Sequence, residues 1–407
     1  MVSHKTEVKQ ADTVQGVALD HWPTFRLGAL CDKIGSGATP KGGSQVYVNE
    51  GVSLIRSQNV YNGVFKYDGL SHITDEAAYK LRSVTVQQDD VLLNITGDSV
   101  ARCTVVPAKV LPARVNQHVA IVRVKQGVCS PQFLQAVLTE PKMQAYMIGL
   151  ASSQGGSRNA LTKSNIEEFE IVLPPLPVQR KIASILGAYD DLIENNCRRI
   201  ALLEKMASEL YRERFCRRKY IANKIAIGEL IVENAKSKIK AGDCKGGVGN
   251  IPFFTSGSSI YWCNDGLVDG VNLYLNTGGS SDVKIHNGEA SYSTDTWSIS
   301  SDKDIVYFLF HYLKSLSDSG ELFSSYFKGA TIQHLQKRDF RKHVISVPEP
   351  NDLASFNALV IPMHLAADNF KKQNQRLCSS RDRLLPRLMS GKIDLDKLVK
   401  GAEVENG

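Results

Sequence analysis

The marks of an enzyme are missing from this 407-residue chain. After Gly35-Ser36-Gly37 a dinucleotide fingerprint needs a third glycine at position 40, which is Pro40. Gly391-Lys392 is followed by Ile393, where a phosphate-binding loop needs Ser or Thr. The single Pro-Pro, in Leu173-Pro174-Pro175-Leu176, has no polar neighbour to bond the amine that a DNA methyltransferase modifies. Eight cysteines (31, 103, 129, 197, 216, 244, 263, 378) are scattered, with no CxxC and no His at zinc spacing. They read as the thiols of a reduced, cytosolic protein, and no metal is expected. Long apolar runs are also lacking. The most apolar stretch, IVYFLFHYL (305–313), is too short to cross a bilayer and reads as a buried helix or strand. The opening MVSHKTEVKQADTVQG has no signal-peptide core, so the chain is expected to be neither secreted nor membrane-spanning.

What the chain has is a soluble composition, 43% hydrophobic and 22% charged, with length for two or more domains. Its net charge of +7 gives nucleic-acid binding a mild preference. Pro174, Pro175 and Pro177 close one segment, and no proline follows until Pro252. Between them Leu186, Tyr189, Ile193, Asn196, Ile200, Leu203, Ala207 and Leu210 recur at alternating spacings of three and four. This heptad seam, with polar Asn196 in it, predicts a helix over 178–215, about 57 Å long at 1.5 Å per residue.

The texture before it (23–173) is mixed, with β-like runs at Val52–Ile55, Val91–Ile95 and Val119–Val124. Within 131–151 a helical pattern is interrupted by Pro141. Residues 220–350 return to the mixed texture, and 353–389 are helical again, ending at Gly391 as a cap. The halves repeat. GSRNALTKSNIEEFEIVLP (156–174) aligns with ATIQHLQKRDFRKHVISVP (330–348) at an offset of 174, pairing Leu161 with Leu335, Lys163 with Lys337 and Ile171 with Ile345. The same offset carries Leu203 onto Leu377 and Leu210 onto Leu384. Leu27-Gly28-Ala29-Leu30 answers Ile227-Gly228-Glu229-Leu230, and Asn94-Ile95-Thr96-Gly97 resembles Leu275-Asn276-Thr277-Gly278.

In this order the segments resemble the specificity subunit of type I restriction-modification systems. The resemblance rests on Trp22–Leu30, DVLLNITGDSVARC (90–103), VNQHVAIV (115–122), GGSRNALTKSNIEEFEIVLPPLPVQRKIASIL (155–186) and LEKMASELYRERF (203–215). In the second half it rests on IPFFTSG (251–257), ATIQHLQKRDF (330–340) and SSRDRLLPRLMSGKID (379–394). It implies two α/β (α+β) target-recognition domains in pseudo-twofold arrangement, separated by two long antiparallel coiled-coil helices. The expected plan is an extension at 1–20, domains at 21–175 and 220–350, helices at 176–219 and 351–397, and a disordered tail at 398–407. Each domain would read half of a bipartite double-stranded DNA target, the helices fixing the gap and docking methyltransferase subunits, two of them, with restriction/translocase subunits joining. No membrane is involved. The chain itself would carry no catalysis and no cofactor, with S-adenosylmethionine in the partner methyltransferase. Two features depart from the family: the extension has no counterpart in the second half, and Pro362 inside the second helical pattern implies a kink or a start near it. A self-sufficient methyltransferase and a coiled-coil scaffold without DNA recognition are the competing readings.

DNA reading asks for Lys and Arg on phosphates and Arg, Lys, Asn or Gln on base edges. Lys33 and Lys41 flank a glycine-rich stretch that is either a phosphate contact or a solvated turn. Arg56, Ser57 and Gln58 follow a β-like run and are expected at a strand end. Gln154, Ser157, Arg158 and Asn159 lie in the strongest local candidate, SSQGGSRN (152–159), whose glycines permit close backbone approach. Asn94 and Arg102 either line the DNA face with Thr96 or close a turn, and His118 of Asn116-Gln117-His118 reads first as a structural histidine. In the second half the candidates are Lys238, Lys240, Thr255, Ser256, Tyr261, Lys284, Lys328, Gln333 and Lys337, while Trp262 and Trp297 read as core. Arg198-Arg199 and Arg217-Arg218-Lys219 are read as solvated faces, or as guides for the DNA backbone. Asn196 and Asn374 are candidates for fixing the register of the helical seam.

Overall fold

The computed structural model describes residues 22–153, 159–217, 221–244, 249–257, 259–330, 333–389 and 393. The chain divides into two compact units, one of 1–192 with 377–407 and one of 193–376. Expectations placed on residues 1–21, on Gly391 and on the tail fall outside the described residues.

Unit 1 is built on an antiparallel sheet ordered Cys103–Val105, Val91–Asn94, Val119–Val124, Cys31–Ser36. Its central strands are near-continuous apolar runs because both faces are covered. Side chains on a strand alternate between faces. Val91, Leu93, Ala120 and Val122 accordingly enter a core with Phe133, Leu134, Ile171 and Leu186, whereas Leu92, Val119 and Ile121 enter another with Leu54, Ile55, Val60 and Val115. The second core is closed by a sheet ordered Tyr47–Val48, Ser71–Ile73, Val52–Ile55, Ala113–Val115, Thr85–Val86, in which Val52–Ile55 and Ala113–Val115 run parallel. Pro141 ends one helix and opens the next: Pro131–Thr139 is capped by Ser130, and Pro141–Ser152 carries its proline in the first turn, where no N–H is missed.

Unit 2 repeats the four-strand main sheet, while its second sheet has three strands where unit 1 has five. Its main sheet runs Val283–Asn287, Val271–Asn276, Thr296–Ser301, Ile231–Glu233, and in its smaller sheet Ile251–Phe254 pairs parallel with Ser291–Tyr292. The apolar stretch 305–313 forms the buried face of the helix Val306–Asp318. The closing joints match as well. Phe25 pairs with Ile171 as Ile225 pairs with Ile345, and Leu27 N donates to Phe169 O as Ile227 N donates to His343 O, both at 2.8 Å. Gly28 and Gly228 are required by close approach: a Cβ on Gly28 would lie 3.1 Å from the Glu167 side chain, and one on Gly228 would lie 2.9 Å from Arg341 O. Glu167 and Arg341 are themselves related by the offset of 174 (341 − 167).

One alignment shifts by a residue. Leu161 N donates to Ile95 O and Leu335 N donates to Thr277 O, so Ile95 answers Thr277 and Asn94 answers Asn276, not Leu275. The reason is chemical: both asparagines are buried and send their amide to a loop carbonyl, Ser57 O at 2.9 Å and Ser256 O at 2.8 Å. A leucine at that point would leave the loop unbonded.

Each unit also contains parts of two long helices, Leu176–Tyr211 and Pro350–Met389. The first starts two residues earlier than the seam predicts and passes into one wider turn, Arg212–Cys216. The second is continuous through Pro362 from its beginning at Pro350, correcting the expected start there. Pro362 and Ala358 sit on the exposed side, so the carbonyl that loses its partner meets water, while Phe356, Val360 and Ala367 hold the opposite face buried. Within unit 1 the helices run antiparallel, Leu186 joining Leu385 and Leu388 in one core and Arg381 meeting Asp190 at 2.5 Å. Within unit 2 they are again antiparallel: Asn196 donates to Asn374 at 2.9 Å, Lys371 meets Glu204 at 2.9 Å, and Tyr211 packs on Phe356. Along the seam Leu186, Asn196 and Ala207 are buried, whereas Tyr189, Ile193, Ile200, Leu203, Leu210, Leu377 and Leu384 are half-buried. Among the described residues no helix is long and apolar enough to cross a membrane.

Candidate nucleic-acid interface

In unit 1 the topology gathers polar loops from distant parts of the chain at one end of the main sheet. Gly37 N donates to Val119 O and Ala38 N to Val115 O, fixing the Lys33–Gly43 stretch beside the 116–118 turn. Only glycine fits at 37, because a Cβ would lie 2.0 Å from Val115 O. Thr39 then bonds Gln117, Gln117 bonds His118 at 2.9 Å, and His118 Nδ1 bonds Thr96 Oγ1 at 2.6 Å. The Gln117 amide nitrogen faces His118 Nε2, an arrangement that fits the tautomer carrying its proton on Nδ1. Gly97 N donates to Asn159 O, and the Asn94 amide reaches Ser57 O. Candidate residues at 41, 57–58, 94–102 and 159 thereby share one end.

Unit 2 gathers its loops in the same way. Asn276 donates to Ser256 O, Ser256 Oγ donates to Asp295 O, and Thr277 donates to the same carbonyl through N and Oγ1. Gly279 N donates to Gln333 O, and Thr294 N donates to Ile239 O between Lys238 and Lys240. In both units the loops are tied by backbone bonds and by inward-turned side chains, and other side chains stay exposed at the tips. Lys41, Gln58, Asn159, Lys238 and Lys240 are exposed there.

Other candidates are placed elsewhere. Asn94 and Thr255 are buried; the Asn94 amide nitrogen donates to Ser57 O, and Thr255 Oγ1 accepts from Gly257 N. Lys284 is largely buried and donates to Thr255 O and Asn276 Oδ1 beside Asp282, and burial lowers its pKa. It therefore acts in this structure as an internal ammonium that stiffens the loop. Lys33 lies inside its strand and donates to Ser83 O, and burial followed by Arg123 lowers its pKa. Arg56 donates to Gly69 O, as does Gln58. Lys337 lies over the Trp297 ring next to Glu233, Lys328 pairs with Asp339, and Tyr261 is half-buried on its strand. Trp297 is core, and Trp262 is half-buried. Arg198 pairs with Glu194 and Arg217 with Glu213, as solvated helix faces do. Gln154, Ser157 and Arg158, with Arg218 and Lys219, lie outside the described residues.

Sequence pattern alone does not single out Thr39, Tyr61, Lys66 or Asp295. The available signal was position, since each lies within a few residues of a strand end. Among the described residues no group of three or more His, Cys, Asp or Glu is placed to hold a metal ion.

The family description "Type I restriction modification DNA specificity domain" matches residues 20–205 and again 223–352. The chain is similar to the type I restriction enzyme MjaIX specificity subunit of Methanocaldococcus jannaschii, at 25% identity over 98% of this chain and 99% of that one. It is also similar to the EcoAI specificity subunit of Escherichia coli, at 22% identity over 46% of this chain and 31% of the relative. In fold it is similar to the crystal structure of a type I restriction-modification S subunit from M. genitalium, with a TM-score of 0.56 and 16% identity over 91% of this chain and 96% of the other.

Proposed function

This chain belongs to the type I restriction-modification DNA specificity family, and from that premise we propose that it reads a bipartite duplex-DNA target, one half-site through the loop end of each unit. The observation that carries the reading is the repetition of the loop end: in two units of differing sequence a buried asparagine holds one loop (Asn94 on Ser57 O, Asn276 on Ser256 O) and a glycine N–H holds another (Gly97 on Asn159 O, Gly279 on Gln333 O). Rigid joints with variable polar tips are what base reading needs, since phosphate contacts set position while side chains at base edges set sequence. Lys41, Gln58, Asn159, Lys238 and Lys240 are the exposed tip residues offered for this role. Phosphate contacts would make general affinity fall steeply with salt.

The chain is proposed to work without catalysis of its own, in the cytoplasm, docking two methyltransferase subunits that bring S-adenosylmethionine, with restriction/translocase subunits joining the complex. The missing cofactor and amine-binding motifs support that division of labour. To test it, the chain is expressed with its neighbouring methyltransferase subunit in an unmodified host, and methylated adenines are mapped genome-wide. A two-part motif that disappears when this chain is omitted is expected. No new motif from a stable complex would return the scaffold reading.

A further inference from the structure

Unit 1 carries an arrangement of charge that its own fold does not balance. Tyr61 ends the short strand Val60–Tyr61, next to the loop held by Asn94. Lys66 Nζ lies 4.1 Å from the centre of the Tyr61 ring, and Arg102 Cζ lies 4.5 Å from it. The two cations come from different segments, and each has a pinned backbone. Lys66 N donates to Asn59 O while the buried Asn59 amide donates back to Lys66 O. Arg102 O accepts from Asn94 N, and Arg102 N donates to Ser99 O.

Among the described residues neither cation has an ion-pair or hydrogen-bond partner for its charged group. Elsewhere in the unit Lys80 meets Glu76 at 2.6 Å and Arg26 meets Glu168 at 2.7 Å. A ring face attracts each cation but does not neutralise it. The two like charges share one ring, and one anion placed beside both would relieve their repulsion. The counterpart in unit 2 lacks this feature. There Asp282 O accepts from Asn276 N as Arg102 O accepts from Asn94 N, so an acid occupies the place of Arg102, and it is paired with Lys284 and Lys314.

We propose that Lys66 and Arg102, both held on the Tyr61 ring, form a clamp for one backbone phosphodiester of duplex DNA at the edge of the unit 1 loop end. This rests on the DNA-reading proposal for that end. An oxyanion suits the pair because Arg presents a planar fork and Lys a point charge, so two phosphate oxygens can be met at once. The clamp sets position and carries no base preference.

The test uses the complete chain in complex with its methyltransferase subunit and a non-target duplex, with affinity measured across a salt series. Neutralising one phosphate contact is expected to make the slope of log affinity against log salt shallower by about 0.9. Lys66→Ala/Arg102→Ala should show that change, with weaker binding and the same methylated motif. Lys66→Gln alone, at an exposed position, should show part of it if the double variant folds poorly. Tyr61→Leu should weaken binding by loosening both cations, and Lys80→Ala, which removes a paired lysine, should change nothing. Parental slope and affinity in the folded double variant would overturn the clamp and leave the DNA reading intact. A parental complex that binds no duplex at low salt would overturn both.

Discussion

The histidine pair of unit 2 should make its stability depend on pH above the range in which most carboxylates titrate. His311 Nε2 and His364 Nε2 lie 3.0 Å apart, so one ring donates and the other accepts. His311 is enclosed by Tyr211, Phe310 and Phe356, and His364 lies against Tyr307 and Phe310 with Asp368, Lys371 and Glu204 nearby. Burial, reinforced by His364, pushes His311 down to about 3. Burial pushes His364 down to about 4, against the opposing pull of Asp368. In the unfolded chain both titrate near 6.5. Folded values below unfolded ones mean that the unfolded chain takes up the protons first. The stability tied to the pair is therefore complete above about pH 6.5 and is lost as pH falls towards the folded values. Between pH 7.5 and 5.5 the two imidazoles together should withdraw roughly 2–3 kcal/mol. For a domain of this size that lowers the melting temperature by roughly 5–11 °C. Thermal unfolding followed through Trp297, compared at both pH values for the parent and for His311→Phe/His364→Leu, isolates the effect because other groups cancel in the difference. An equal shift in parent and variant would refute the reasoning.

The remaining predictions concern packing. Asn196→Leu removes the partner of Asn374 in the helical seam and should cost about 1–3 kcal/mol, whereas Asn196→Leu/Asn374→Leu should recover most of it; urea unfolding measures both. Gly228→Ala should destabilise more than Gly28→Ala, by about 1–3 kcal/mol for the former, because its new Cβ meets the Arg341 carbonyl at 2.9 Å rather than a movable side chain at 3.1 Å. Equal melting temperatures for the two glycine variants would contradict that ranking.

The repeat was legible because its anchors are local and chemical. A four-residue helix with glycine at its second position, a Lys at the start of a short helix, and an Ile in the closing strand each appear twice at fixed offsets. The heptad spacing likewise announces the first long helix. Pro362 does not begin the helix; a proline rule says nothing about which side of a helix faces water. The one-residue error at Asn94 arose because similarity in letters, Asn-Ile-Thr-Gly against Leu-Asn-Thr-Gly, competes with the true equivalence, which is a buried amide on a loop carbonyl. The loop end was partly legible: a polar run after a β-like segment gave Gln58, the glycine-rich SSQGGSRN gave Asn159, and both lie exposed there. Lys284 and Lys33 looked equally suitable, and only burial separates an internal ammonium from an exposed one. Tyr61 with its two cations was invisible, since convergence of residues 61, 66 and 102 is a property of the fold.

The matching joints have a consequence for how such a chain can change. The pairing of Phe25 with Ile171 closes 146 residues of chain (171 − 25), and that of Ile225 with Ile345 closes 120 (345 − 225). The same doorway therefore admits inserts differing by 26 residues (146 − 120) while the frame around it is unaltered. Closure entropy grows only slowly with length, so such differences cost little. Substitution or lengthening between the joints can alter what a unit recognises without renegotiating the contacts that hold it, and new sequence can be tried on one side while the other keeps working.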